Sequence, residues 1–331
     1  MNTMSWDRTA AGCICHPQIS DFEIPTPAHL LDTPGMLSIS ERKFLYSLAK
    51  SKYKAQGFVI DAGSFMGSSV VALAQGLTEN PYLKNPGSNW LEGEKPIHSY
   101  ELGYLPAPAN GADVVRHFGP ATYKFGDSFV PTLKDNIAPY TELINLNIGD
   151  FNTFTWPKRA IEICFVDMCK TPALNRHITQ QFMPNLLPDS SFFINQDFFF
   201  DRLPWIKITM GYLAEYFEWY GQVFTTSIYK CTKKIPDHIV EYDPFTQASL
   251  DECLKYHDCY ANQHLEDMFQ LRMEISKAYL LGEKGNAVDA LDHLDAVGKT
   301  FEHTFHDEGL RGMHNKNRYD RAVRQIKRKF Q

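Results

Sequence analysis

The stretch that most constrains this chain is Phe58-Val59-Ile60-Asp61-Ala62-Gly63-Ser64-Phe65-Met66-Gly67-Ser68-Ser69, an apolar run that ends in an acid and breaks into an Asp-x-Gly-x-x-x-Gly turn. It reads as a strand, a tight ligand-cradling loop and the start of a helix. Val70, Val71, Leu73, Ala74 and Leu77 carry an apolar face at near-helical spacing until Gly76 and Thr78 loosen it. A dinucleotide turn is G-x-G-x-x-G, whose middle glycine lets the backbone approach a pyrophosphate. Here Gly63 and Gly67 flank Ser64, Phe65 and Met66, so bulk stands where that glycine would be. An acid at the strand end suits a ligand that bears an ammonium and no diphosphate.

The segments that follow come in the order an open α/β sheet requires. Ile97 to Glu101 is a short β-prone run ending in an acid, and a carboxylate there can accept two hydroxyls at once. Leu143 to Ile148 reads as a third strand closing on Gly149-Asp150, although Gly126-Asp127, just before the helix-like Phe129 to Tyr140, competes for that place. Ile161 to Asp167 is an apolar run with Lys170 three residues beyond its terminal acid. A helix over 175–187, a turn at Pro188-Asp189 and a strand over 191–197 come next. All these polar ends open on the sheet edge where ligands bind in such folds. Thr78 to Pro96, rich in Asn, Pro, Gly and Glu, reads as a surface insertion. Phe198 to Trp219 is dense in aromatics. Tyr212 to Trp219 has core-helix spacing, and Phe198 to Phe200 with Trp205 are candidates to line an acceptor pocket. Gly221 to Lys234 then reads as a closing strand or hairpin.

The turn at Asp61 to Gly67 resembles motif I of the class I S-adenosylmethionine-dependent methyltransferases, and the ends of the fourth and fifth strands are similar to those of the catechol-type and macrocin-type O-methyltransferases. The resemblance implies an α/β fold: a Rossmann-like, doubly wound, seven-stranded sheet with an antiparallel last strand. It covers residues 37–236, with an N-terminal extension over 1–36 and a helical C-terminal region over 237–331. It implies S-adenosyl-L-methionine held by Asp61, Gly63, Ser64, Gly67 and Ser68, with Glu101 on the ribose hydroxyls and Asp150 at the adenine amino group. Asp167 takes the catalytic and first metal position, Lys170 the lysine position, and Gln196 with Asp197 the metal-binding pair. The family's usual acid is Gln196 here, and its amide is Asp197. Oxygen ligands suit a hard cation such as Mg2+, which would hold the substrate hydroxyl and lower its pKa. The implied reaction is methyl transfer to a hydroxyl of a small molecule or glycan. Asp167 is also suited to capping a helix, Lys170 to solvent, and Asn195 with Asp197 to satisfying loop backbone. A metal-free methyltransferase of another acceptor atom, working through one of these acids or a histidine, and a cofactor-binding scaffold without turnover remain alternatives. Neither His98 nor His177 is assigned a role.

A chain of 331 residues has room for one α/β domain of about 200 residues and something smaller. Its net charge of −6 argues against a general nucleic-acid grip. The one clearly basic cluster, Arg318 to Lys329, reads as a solvated helix face or a partner contact. No run approaches a membrane span, and the first 36 residues lack the basic start and apolar core of a signal peptide, so a cytoplasmic protein is expected. None of the seven cysteines has paired C-x-x-C spacing, and Cys13-x-Cys15-His16 reads as a mobile N-terminal segment rather than a zinc site. Ser38 to Lys54 reads as a helix with Ser40 as N-cap, covering the sheet. Helices are expected over 250–264, 265–281, 287–305 and 318–330. This appendage could serve as a lid, as the contact of a homodimer or as a docking surface.

Overall fold

The computed structural model describes residues 25–84, 93–106, 116–118, 121–261, 266–306 and 310–330. Its strands are β1 (Phe58–Ala62), β2 (Ile97–Glu101), β3 (Arg116–Phe118), β4 (Ala121–Tyr123), β5 (Ile144–Ile148), β6 (Ile161–Val166), β7 (Phe192–Asn195), β8 (Phe217–Val223) and β9 (Thr226–Cys231). Seven of them form one sheet in the order β5-β2-β1-β6-β7-β9-β8, while β3 and β4 pair as a separate hairpin. The strands β5, β2, β1, β6 and β7 run parallel, and β9 pairs antiparallel with both neighbours. The fold is thus the Rossmann-like sheet with an antiparallel last strand that the resemblance implies.

Both faces of the sheet are covered, as a parallel sheet demands. Successive strand residues point to opposite faces, so Val59, Ile163, Ile194 and Ile228 enter one core while Ile60, Cys164, Phe193 and Tyr229 enter the other. Helices Ile39–Ser51 and Ser68–Thr78 complete the first core, and Pro172–Phe182 and Pro204–Tyr212 the second. Gly76 serves close packing rather than loosening its helix. A Cβ there would fall 2.5 Å from the Tyr46 carbonyl oxygen of the neighbouring helix.

Two local expectations need correction. The first covering helix is capped by Ser38, not Ser40, because Ser38 and Glu41 bond each other's backbone N–H in a capping box, whereas Ser40 has Lys43 three residues on and no acid to reciprocate. The Tyr212 to Trp219 stripe is not one helix: Tyr212 ends a helix, Ala214–Tyr216 is a 3-10 turn, and Phe217 opens β8. There, the register with β9 and the buried, exposed, half-buried order of Phe217, Glu218 and Trp219 prevail over helical spacing.

Beyond residue 236 the described elements are helical. Leu271, Ile275, Ala290, Leu294, Val297, Ala322 and Ile326 form a small core of their own. Helix Asp267–Lys284 also sends Phe269 and Met273 into the second sheet core. The basic last helix, Leu310–Phe330, is docked in part: Arg318 and Arg321 reach the fully buried Asp201 at 2.8 and 3.4 Å. The Cys13-x-Cys15-His16 segment and the middle of the expected insertion, 85–92, lie outside the described residues. No helix among the described residues is long and apolar enough to cross a membrane.

Candidate active site

The strand order reverses between β1 and β6, and the crevice outside their carboxyl ends is where an open α/β sheet takes its ligand. The chain turns sharply there. Gly63 (φ +102°), Phe65 (φ +48°) and Gly67 (φ +99°) are all left-handed. A Cβ on Gly63 would lie 2.7 Å from the Asp167 carbonyl oxygen, so this turn and the loop after β6 touch backbone to backbone. Helix Ser68–Thr78 starts with no side chain capping its N-terminus. Gly35 passes over that end, where a Cβ would sit 2.3 Å from the Ser68 hydroxyl, so residues just before the covering helix lie on the turn.

Asp61 is fully buried at the end of β1. Its Oδ2 accepts from Ser64 Oγ at 2.5 Å and from Ser99 Oγ at 3.4 Å. Its Oδ1 has no hydrogen-bond partner among the described residues. Burial pushes the carboxyl up to about 6, against the pull of the Ser64, Ser69 and Ser99 hydroxyls. The Asp61 Oδ1 is thus an acceptor left open beside a helix end that no side chain caps. The shift carries a sign that can be checked. The ordinary value, 3.8, lies below the folded one, so ionisation weighs on the empty fold as pH rises from about 4 through 6, by about 3 kcal/mol in full. Asp61→Asn is therefore expected to raise the melting temperature of the ligand-free protein at pH 7.5 and to leave it nearly unchanged at pH 4. Thermal unfolding at both pH values checks this, and a gain of equal size at both would refute it.

Glu101 stands at the end of β2, nearly buried, and already has work to do. Its Oε2 accepts from the Phe65 N–H at 2.6 Å, and its Oε1 from the N–H groups of Leu102 and Gly103 at 2.8 and 3.3 Å. It latches the turn over 63–67 to β2, a role the sequence does not reveal, and three of its four or so acceptor sites are taken. Asp150 follows β5 and is exposed, its Oδ1 accepting from Asn152 N–H at 3.0 Å. The competing Asp127 instead closes a turn after β4, accepting from the Lys124 N–H at 2.7 Å. Asp150 is thus the acid at the end of a main-sheet strand.

The β6 and β7 ends meet as the sequence predicts. The Asp167 N–H bonds Ala62 O at 2.8 Å and the Gln196 N–H bonds Val166 O at 3.0 Å, which lines up the three strand ends. Lys170 Nζ bridges Asp167 Oδ1 at 2.9 Å and Asp197 Oδ2 at 2.5 Å. The carboxylate side chains are 15 % and 6 % exposed, and the lysine side chain 54 %. Burial works to lower the lysine's pKa, but the two carboxylates outweigh it and hold it above its ordinary value. Burial pushes the Asp167 carboxyl up, against the pull of the ammonium. In either rotation of its amide, Gln196 meets the Thr225 hydroxyl at 3.1 Å. Turned nitrogen-in, its NH2 lies 3.0 Å from Asp167 Oδ1 and 3.3 Å from Asp197 Oδ1. Asp167 caps nothing, because Thr171 is the N-cap of the next helix.

Sequence reasoning passes over Glu41. This buried acid of the covering helix accepts from Thr226 Oγ1 at 2.6 Å and so fastens the helix to the β8–β9 hairpin beneath Gln196. The Ser38-x-x-Glu41 spacing was the available signal. Neither histidine singled out by the sequence reaches the site: His98 packs against Phe58 and Trp156, and His177 lies 2.9 Å from Phe154 O. Phe198 and Phe199 are buried in the second core, whereas Trp205 donates to Cys169 O at 2.8 Å and faces a cavity of about 530 Å3. Phe245, Tyr279, Arg202 and Arg328 also line that cavity.

No family model and no curated protein matches the chain. Solved structures that resemble it include the O-methyltransferase NovP, at 10% identity and TM-score 0.43 over 60% of this chain and 82% of that one. The O-methyltransferase from Bacillus cereus, in complex with SAH, overlaps at 15% identity and TM-score 0.32 over 56% of this chain and 73% of that one. A Pyrococcus horikoshii protein described as an RNA methyltransferase overlaps at 12% identity and TM-score 0.35 over 66% and 96%. Overlaps this loose carry no weight for function. The sheet order and the side chains gathered at its edge do.

Proposed function

We propose that this protein transfers a methyl group from S-adenosylmethionine to a hydroxyl of a small molecule or glycan. One observation carries the reading: acids or amides end β1, β2, β6 and β7 at the same sheet edge, around a glycine turn packed backbone to backbone on Asp167. The residues fit the cofactor. The orphaned Asp61 Oδ1 and the uncapped helix end suit its amino-acid part, Glu101 has one acceptor site left for the ribose, and Asp150 faces solvent at the adenine position. When bound, S-adenosylmethionine supplies a methyl whose bond to sulfur breaks, leaving the pair on sulfur, as the bond to the acceptor oxygen forms.

The chain's own groups do the rest. Lys170 presents an ammonium to the acceptor oxygen, and Asp167, whose burial raises its affinity for a proton, takes the hydroxyl proton. The covering helix and the segment at Gly35 exclude water from the turn. A divalent cation suits Asp167, Gln196 and Asp197 by donor type alone, and Lys170 already occupies oxygens of both carboxylates. The helical region beyond residue 236 is proposed as a homodimer contact, and a cytoplasmic setting goes with the reading.

Calorimetric titration with S-adenosylhomocysteine tests it. Micromolar affinity is expected for the wild type and none for Gly67→Arg, because that position is left-handed and a Cβ there already lies 3.2 Å from Leu133. Absence of binding to a folded wild type would remove the reading in favour of a scaffold.

A further inference from the structure

We infer that the Lys170 ammonium is the resident cation of this site, standing where the resembled enzymes place a divalent metal and holding the acceptor oxygen itself. The inference rests on the methyl-transfer reading for its purpose, but its geometry stands alone. An ammonium has three N–H donors. Two are spent on Asp167 Oδ1 and Asp197 Oδ2, and the third is left on a side chain that is half exposed and so reachable by a ligand. That third donor points the chemistry at an acceptor oxygen of partial or full negative charge.

The Gln196 amide can join this lysine bridge without a metal. Oxygen-in, it would set a third oxygen 3.0 Å from Asp167 Oδ1 and 3.3 Å from Asp197 Oδ1, an arrangement that only a cation among the three could hold. Nitrogen-in, it donates to both carboxylates while its oxygen accepts from Thr225. With Lys170 bridging the pair from the side, nitrogen-in is the rotation that leaves no two acceptors facing each other.

Manganese(II) binding, followed by electron paramagnetic resonance on the full chain without cofactor, tests this apart from any turnover. Wild type is expected to show no saturable site in the micromolar range. Lys170→Met should bind manganese roughly tenfold or more tightly than wild type, since a like charge at this range is worth one or more log units. Micromolar binding by wild type, or no gain in a folded Lys170→Met, would overturn the inference. If Lys170→Met fails to fold, the wild-type titration decides by itself. S-adenosylhomocysteine binding with a wild-type manganese site would sink only the lysine's role; no S-adenosylhomocysteine binding would sink the methyl-transfer reading whatever manganese does.

Discussion

Alanine at Asp201 is expected to destabilise the fold by about 3–5 kcal/mol, the usual consequence of removing one partner of a buried ion pair. Asp201 is fully buried in the segment after β7, and it faces Arg318, 14 % exposed, and Arg321 from the last helix. Arg272, buried and 5 % exposed, lies close enough to feel both Asp201 and Arg318, and its Nε has no partner among the described residues. Burial already lowers the Arg272 guanidinium to about 9, with Arg318 adding to the fall and Asp201 resisting it. One carboxylate therefore steadies three guanidiniums, and without it the buried Arg272 and Arg318 keep the Phe269 and Phe200 ring faces against their desolvation, while Arg321 is partly exposed. Chemical denaturation reads the loss. Arg318→Met in the same chain should recover part of it, since that removes one of the stranded charges. A cost below about 1 kcal/mol would mean that water already reaches the cluster and that the last helix is held mainly by Ala322 and Ile326.

That ion pair also marks the limit of what the sequence discloses. Asp201 and Arg318 are 117 residues apart, and nothing local to either announces the other. The basic run they involve therefore reads as a solvated face. The strand ends are different. Each of β1, β2, β6 and β7 is an apolar or β-prone run closed by a polar residue, so Asp61, Glu101, Asp167, Gln196 and Asp197 could be placed on one edge before any coordinates. What the sequence conveys is the edge and not the bonding on it. Lys170 follows Asp167 by three residues, but Asp197 is 27 residues away, and only the parallel register of β6 and β7 brings both carboxylates to one ammonium. Gly76 is misread for a similar reason, since its use lies in the helix packed against it. Tyr212 to Trp219 fails on period, because four aromatics in eight residues satisfy both a helical stripe and a half-buried strand.

Glu101→Ala is expected to weaken S-adenosylhomocysteine binding by roughly 100-fold, about 3 kcal/mol, if its one remaining acceptor site takes a ribose hydroxyl, since a hydrogen bond to a charged group is worth ~1.5–3 kcal/mol. The same substitution strands the N–H groups of Phe65, Leu102 and Gly103, so lost affinity could come from a loosened turn rather than a lost ribose contact. The two causes separate in a cycle with the 2′-deoxy form of the ligand. A ribose contact makes wild type discriminate between the ligands and the alanine variant treat them alike. A latch alone makes both proteins respond equally to the missing hydroxyl, however far the affinity falls. Glu101→Gln sharpens the comparison, because an amide keeps one oxygen for the Phe65 N–H but sets an NH2 where Oε1 accepts from Leu102 and Gly103, and so weakens the latch without wholly removing it. Equal discrimination in wild type, Glu101→Gln and Glu101→Ala would take the ribose away from Glu101 and leave it as the clasp between β2 and the turn over 63–67.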